Sequence, residues 1–140
     1  ILNKSMIPAV IDKNIFSQAQ QQAKLLAEKL DYIGTMCVEY FIDENNNLLL
    51  NEIAPRVHNS GHLTINAYNI SQFESHIRAV CDLEKLELKK NYNAEMINII
   101  GEEIKNYRAK SYSDNQFFFD YLKVEVKDKR KMGHLTTIKI

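Results

Sequence analysis

An apolar run, Leu48-Leu49-Leu50, is stopped a few residues later by Pro55. Proline brings no N–H to a ladder and restrains the residue before it, so the run reads as a short buried strand ending near Ala54. That strand delivers Asn51 and Glu52 at its tip. The irregular stretch beyond holds Arg56, His58, Asn59, Ser60 and His62, and Gly61 adds backbone freedom at the far end. A carboxylate, a guanidinium, two imidazoles, two amides and a hydroxyl therefore crowd residues 51–62. Polar density of this kind, on a loop held by a rigid element, is the anatomy of a binding or catalytic site.

A second carboxylate belongs with it. Residues 35–42 (TMCVEYFI) read as a strand with Glu39 in its middle, and residues 43–47 (DENNN) are turn chemistry. Folding the two strands into a hairpin brings Glu39 beside Glu52. Two carboxylates that close raise each other's pKa unless a cation lies between them. Oxygen ligands of this sort suit magnesium, which takes its remaining ligands from water and phosphates. The alternative is a pair of acids on the wet face of an edge hairpin, and the residues alone leave both readings open. A zinc triad of Glu52, His58 and His62 fails, because Asn59-Ser60-Gly61 will not sustain the helix that i,i+4 ligands need. His62 is expected to steady the loop by a hydrogen bond. Arg56 could bind an anion or pair with Glu52.

Composition narrows the classes. Charge is balanced, 18 basic against 18 acidic side chains, which argues against a nucleic-acid-binding field. No apolar run approaches the ~20 residues needed to span a bilayer. Cys37 and Cys81 lie in apolar contexts without metal-ligand spacing and are expected to be buried free thiols.

In chain order, residues 1–11 read as a tail or loop. Helical spacing of Phe16, Ala19, Ala23, Leu26, Ala27 and Leu30 predicts a helix over 16–30. The hairpin and polar loop follow, then a helical turn at 63–68. A second helix is expected over 71–80 with Phe73, Ile77, Val80 and Cys81 inward. Residues 82–93 are charged and carry the expected joint between domains. Strands are predicted over 95–100, 117–126 and 133–140, with a polar excursion at 102–115 and a basic turn at 127–131. The class is mixed α+β.

The run Asn51-Glu52-Ile53-Ala54-Pro55-Arg56-Val57-His58-Asn59-Ser60-Gly61-His62 closely resembles the signature of the N5-carboxyaminoimidazole ribonucleotide synthetases, a family of the ATP-grasp superfamily. Related glycinamide ribonucleotide transformylases share the Pro-Arg core but not the Asn59-Ser60-Gly61-His62 continuation. The resemblance runs from Pro8-Ala9 to residues 130–135 (RKMGHL), and it implies that residues 1–11 carry the stub of a strand. It implies that residues 1–82 are the second half of an ATP-grasp domain and residues 83–140 a small β-rich carboxyl-terminal domain. The family's amino-terminal domain, phosphate loop and adenine-binding linker are expected to precede this segment, leaving it inactive alone.

By the same resemblance the activity is that of an ATP-dependent carboxylate-amine ligase in de novo purine biosynthesis. Bicarbonate attacks the γ-phosphate of ATP, and the resulting carboxyphosphate delivers carbon dioxide to the amine of 5-aminoimidazole ribonucleotide. Glu39 and Glu52 would hold magnesium, and Asn51 and Glu52 would contact the nucleotide. Arg56, His58 and Asn59 would bind the bicarbonate-derived anion and carry the catalysis. Lys123, Arg130 and Lys131 match the family's cations on the ribonucleotide's 5′-phosphate, although residues 127–129 (KDK) depart from the usual Arg-Pro-Gly turn. Without the resemblance those cations would read as a solvated hairpin tip. The family setting also implies a cytoplasmic homodimer, with no nucleic-acid or membrane partner. Two alternatives remain: another ATP-grasp ligase or transformylase, and a non-catalytic binding module built on an ATP-grasp remnant.

Overall fold

The structure, a computed structural model, describes residues 2–139, and they divide into two compact units. One unit comprises Ala9–His62 and Ile70–Glu87; the other comprises residues 2–8, Leu63–Asn69 and residues 88–139.

The first unit starts with helix α1 (Lys13–Lys29), one turn longer at its start than the apolar spacing predicts. Asp12 caps it, its carboxylate accepting from the Asn14 N–H at 2.7 Å, which satisfies one of the free donors of the first turn. Strands β2 (Cys37–Ile42) and β3 (Leu48–Ala54) then form the expected antiparallel hairpin. Asp43 organises the turn by accepting from the backbone of Asn45 and Asn47, and Asn46 takes the left-handed conformation (φ 63°) that asparagine tolerates. Helix α3 (Gln72–Val80) is capped by Ser71, which accepts from the Glu74 N–H. Two expectations of burial fail here. Leu49, Leu50, Phe73, Ile77 and Val80 are all exposed, because the hairpin is a two-stranded sheet that no third strand joins among the described residues. Cys81 is exposed rather than buried.

The second unit is a four-stranded antiparallel sheet in the order β1 (Lys4–Ile7), β4 (Asn93–Ile100), β6 (Lys131–Lys139), β5 (Gln116–Asp120). Residues 4–7, a tail or loop on the residues alone but a strand by the family resemblance, form an edge strand against β4. On one face Ala94, Met96 and Ile138 pack with Leu63 and Ala67, the last from the short helix α2 (Thr64–Ala67). Ile99 has the opposite parity on β4 and lies on the other face, packed with Met132 and with Ile104 of helix α4 (Glu103–Arg108). Helix α4 falls inside the stretch read as a polar excursion. Arg108 at its end grips Asp120 of β5 through two hydrogen bonds, at 2.6 and 3.2 Å.

Strand β5 ends earlier than predicted. The Asp120 carboxylate turns back to accept from the Leu122 N–H at 2.8 Å, and Leu122 adopts φ 51°. Tyr121 still donates its N–H to the Met132 carbonyl at 2.9 Å, and the local capping then takes residues 122–126 out of the ladder.

Candidate active site

The hairpin register sets the site. Glu39 stands directly opposite Glu52, but the next pair is Tyr40 with Leu50, so Asn51 is the extra residue of a β-bulge. Regular alternation would send Asn51 and Glu52 to opposite faces. The bulge cancels one step of it and brings both side chains to the face of Glu39. Asn51 Nδ2 accordingly donates to Glu39 Oε2 at 3.3 Å. Two carboxylates and an amide thus share one face of the hairpin, away from its turn at 43–47.

His58 covers that face. Its Nδ1 lies 3.4 Å from Glu39 Oε1 and its Nε2 4.0 Å from Glu52 Oε1. Among the described residues it is the only ion-pair partner either carboxylate has, and it can neutralise them only when protonated. Among the described residues no lysine or arginine forms an ion pair with either carboxylate. The face is therefore built for a cation from outside, and its oxygen-rich donor set fits magnesium.

A residue that sequence reasoning missed fixes the loop carrying His58. Gln72, buried at the start of α3, accepts from the His58 N–H at 3.0 Å and donates to the His58 carbonyl at 2.8 Å. Its amide thus pairs with the backbone of His58 as a neighbouring strand would. The same Nε2 lies 2.8 Å from His62 Nδ1, so His62 has the loop-steadying role expected of it, reinforced by stacking on Phe73 at 5.4 Å. The glycine at 61 answers to space rather than to backbone freedom: a Cβ there would stand 2.4 Å from Gln72 Oε1. Helix α3 is tied in turn to the entry of β2, where Thr35 donates to the Gln72 carbonyl and receives His76 Nδ1 on its N–H. No motif flags a lone glutamine; only its position one residue after the Ser71 cap distinguishes it.

Arg56 is exposed, donates to the Val57 carbonyl at 3.0 Å, and forms no ion pair with Glu52 among the described residues. Its guanidinium is thus open to an anion. Asn59 is half-buried in the 3₁₀ stretch Asn59–Leu63. Burial pushes the Cys37 thiol pKa up; the Ser60 hydroxyl opposes this, and the carboxylates of Glu39 and Glu52 add to the rise.

In the other unit, the end of β5 and the start of β6 gather the three cations singled out in the sequence. Lys123 Nζ donates to the Lys131 carbonyl at 2.5 Å and lies 5.3 Å from the Tyr121 ring centre. Desolvation lowers its pKa, and the charges of Arg130 and Lys131 lower it further. Mutually repelling cations held near one another form a ready anion site. Arg130 is exposed, with its backbone fixed by Lys127 and Gly101. Lys127, by contrast, pairs with Glu125 at 2.9 Å.

Residues 1–73 match the model of the ATP-grasp domain. The chain belongs to the ATP-grasp family. Residues 94–139 match the phosphoribosylaminoimidazole carboxylase C-terminal domain, and between them the two matches take in both carboxylates and all three cations. N5-carboxyaminoimidazole ribonucleotide synthase of Bacillus subtilis (strain 168) is 42% identical over 99% of this chain and 37% of its own length. The Staphylococcus aureus synthetase crystallised with ADP matches at TM-score 0.90 and 40% identity, over 99% of this chain and 38% of that one. The Aspergillus clavatus synthase in complex with ADP and 5-aminoimidazole ribonucleotide matches at TM-score 0.90 and 33% identity, with 99% and 39% covered. This ATP-grasp chain therefore spans little more than a third of the length of such relatives. Among its described residues no helix is long and apolar enough to cross a membrane.

Proposed function

We propose that the protein carrying this chain joins bicarbonate to 5-aminoimidazole ribonucleotide with cleavage of ATP, forming N5-carboxyaminoimidazole ribonucleotide for purine biosynthesis. The observation that carries the reading is the bulged hairpin, which turns Glu39, Asn51 and Glu52 to one face without a permanent counter-ion. Similarity over nearly the whole chain to synthetases crystallised with ADP and with 5-aminoimidazole ribonucleotide supports the choice of substrates.

In this reading Glu39 and Glu52 hold magnesium, and Asn51 and Glu52 contact the nucleotide. Bound magnesium would neutralise phosphate charge and favour attack at the γ-phosphorus. Arg56 offers a planar fork of donors to bicarbonate and to the carboxyphosphate formed from it. His58, held by Gln72, and Asn59 add neutral or charged donors where oxygen charge develops. Lys123, Arg130 and Lys131 bind the 5′-phosphate of the ribonucleotide. Residues 1–82 act as the second half of the ATP-grasp domain and residues 83–140 as a β-rich terminal domain. A homodimer in the cytoplasm completes the reading, on the strength of the family resemblance; sedimentation of the full-length protein tests the assembly.

Kinetics of Glu52→Gln in the full-length protein, over a magnesium titration, test the metal assignment. Loss of one preorganised electrostatic group is expected to remove about 2.7–4 kcal/mol of transition-state stabilisation while ribonucleotide binding persists. Near-normal turnover overturns it. The 140 residues alone contain only four glycines, at 34, 61, 101 and 133, and so no glycine-rich phosphate loop. ADP release from this segment by itself is expected to match that of a Glu39→Ala, Glu52→Ala control.

A further inference from the structure

The hairpin face carries a thiol that the carboxylation does not use, beside a carboxylate and an imidazole that it does. Cys37 and Glu39 lie two residues apart on β2, so their side chains leave the strand on the same face. Ser60 Oγ is 3.5 Å from Cys37 Sγ and 2.9 Å from His58 Nδ1, tying thiol and imidazole to one hydroxyl. One ligand atom each from Cys37, Glu39 and His58 lies within 4.8 Å of the others, and all three residues are half-buried. Cysteine reaches this cluster only through the fold, since the sequence spacing of Cys37 and His58 matches no ligand motif.

We propose that Cys37, Glu39 and His58 form a site for a thiophilic divalent cation, zinc or a congener such as cadmium, overlapping the magnesium position at Glu39. Sulfur, imidazole and carboxylate are the donors zinc selects, and three protein ligands leave a fourth position for water. Magnesium gains nothing from the sulfur or the nitrogen, so these two donors discriminate strongly for the softer ion. Tetrahedral bonds of ~2.0–2.3 Å separate donor atoms by about 3.4–3.8 Å, so side-chain rotations of about 1 Å close the present cluster onto a metal. Binding breaks the Cys37 S–H bond, forms the sulfur–metal bond and releases the proton to solvent. His58 contributes its Nδ1 lone pair, and the Ser60 hydroxyl gives up its place between thiol and imidazole. Occupancy would take Glu39 from magnesium; that consequence alone rests on the function proposed above.

Cadmium titration of the nucleotide-free, full-length protein tests the site through its thiolate-to-cadmium charge-transfer absorption. One equivalent of that band is expected to vanish in Cys37→Ser and to survive in Cys81→Ser, whose thiol is exposed on the same unit. His58→Gln and Glu39→Gln are expected to weaken cadmium binding about tenfold or more while leaving the thiol in place, which covers a Cys37 variant that fails to fold. Millimolar magnesium should leave the band intact. An undiminished band in Cys37→Ser, loss of it in Cys81→Ser, or unchanged affinity in both His58→Gln and Glu39→Gln overturns the proposal. The absence of a band leaves the Glu52→Gln kinetics untouched, so failure here and failure of the carboxylation reading are separate results.

Discussion

At the scale of single residues, the site depends on one amide as much as on its acids. Gln72 pairs with both backbone groups of His58, and Gly61 is the only residue type that leaves room for it. Gly61→Ala should therefore force the amide aside, with an overpacking cost of about 1–3 kcal/mol. Gln72→Ala should cost a similar amount by leaving half-buried backbone groups unpaired. Because both changes break the same contact, the double variant should be clearly less destabilised than the sum of the singles, as read from urea midpoints. Additive effects would mean that Gly61 serves something other than Gln72. The sequence made Glu39, Glu52 and His58 legible because turn residues and Pro55 dictate a hairpin that ends in a polar loop. It hid Gln72, since a glutamine after a helix cap looks like any wet surface residue. It also hid the bulge at Asn51, which has no glycine or proline to announce it and follows from a register shift between Glu39 and Tyr40.

At the scale of elements, periodicity found the segments with many local contacts and lost those held by distant ones. Helices α1 and α3 and the β2–β3 hairpin are visible as patterns. Strand β1 has only four residues, and its partner β4 lies about ninety residues away, so nothing nearby reports the pairing. Helix α4 is six residues long and polar, and is held by burial of Ile104 and by the Arg108–Asp120 pair. Asp120 also ends β5 early by turning back onto the Leu122 N–H, and its pair with Arg108 has a pH signature. The Arg108 guanidinium holds the Asp120 carboxyl below its ordinary value, with the Leu122 N–H assisting. A carboxylate with a lowered folded pKa contributes stability that is fully present above its unfolded value of ~3.9. This contribution is lost as pH falls through the lower folded value. Asp120→Asn is thus expected to flatten the acid limb of the stability–pH curve below about pH 4, relative to the parent. An unchanged acid slope would mean that the pair is no tighter when folded than when unfolded.

At the scale of the whole molecule, balanced net charge conceals two opposite local fields. One unit presents Glu39 and Glu52 on a hairpin face; the other holds Lys123, Arg130 and Lys131 about one turn. A count of charges argues against a nucleic-acid-binding field but cannot report such segregation, which arises only when the chain folds. The cationic turn supplies its own control. Lys129, at φ 61° in the exposed turn, and Arg130 are adjacent and carry the same charge, yet only Arg130 is proposed to bind the ribonucleotide's phosphate. A 5′-phosphate remains a dianion throughout the reaction, so a residue that grips it contributes mostly uniform binding. Losing one such charge-assisted hydrogen bond should cost roughly 1.5–3 kcal/mol. In the full-length protein, Arg130→Ala is accordingly expected to raise KM for the ribonucleotide about tenfold or more, with KM for ATP and kcat little changed. Lys129→Ala should stay within about twofold on every parameter. Equal, small effects at both positions would make the turn an ordinary solvated hairpin tip and leave the ribonucleotide's phosphate to other residues.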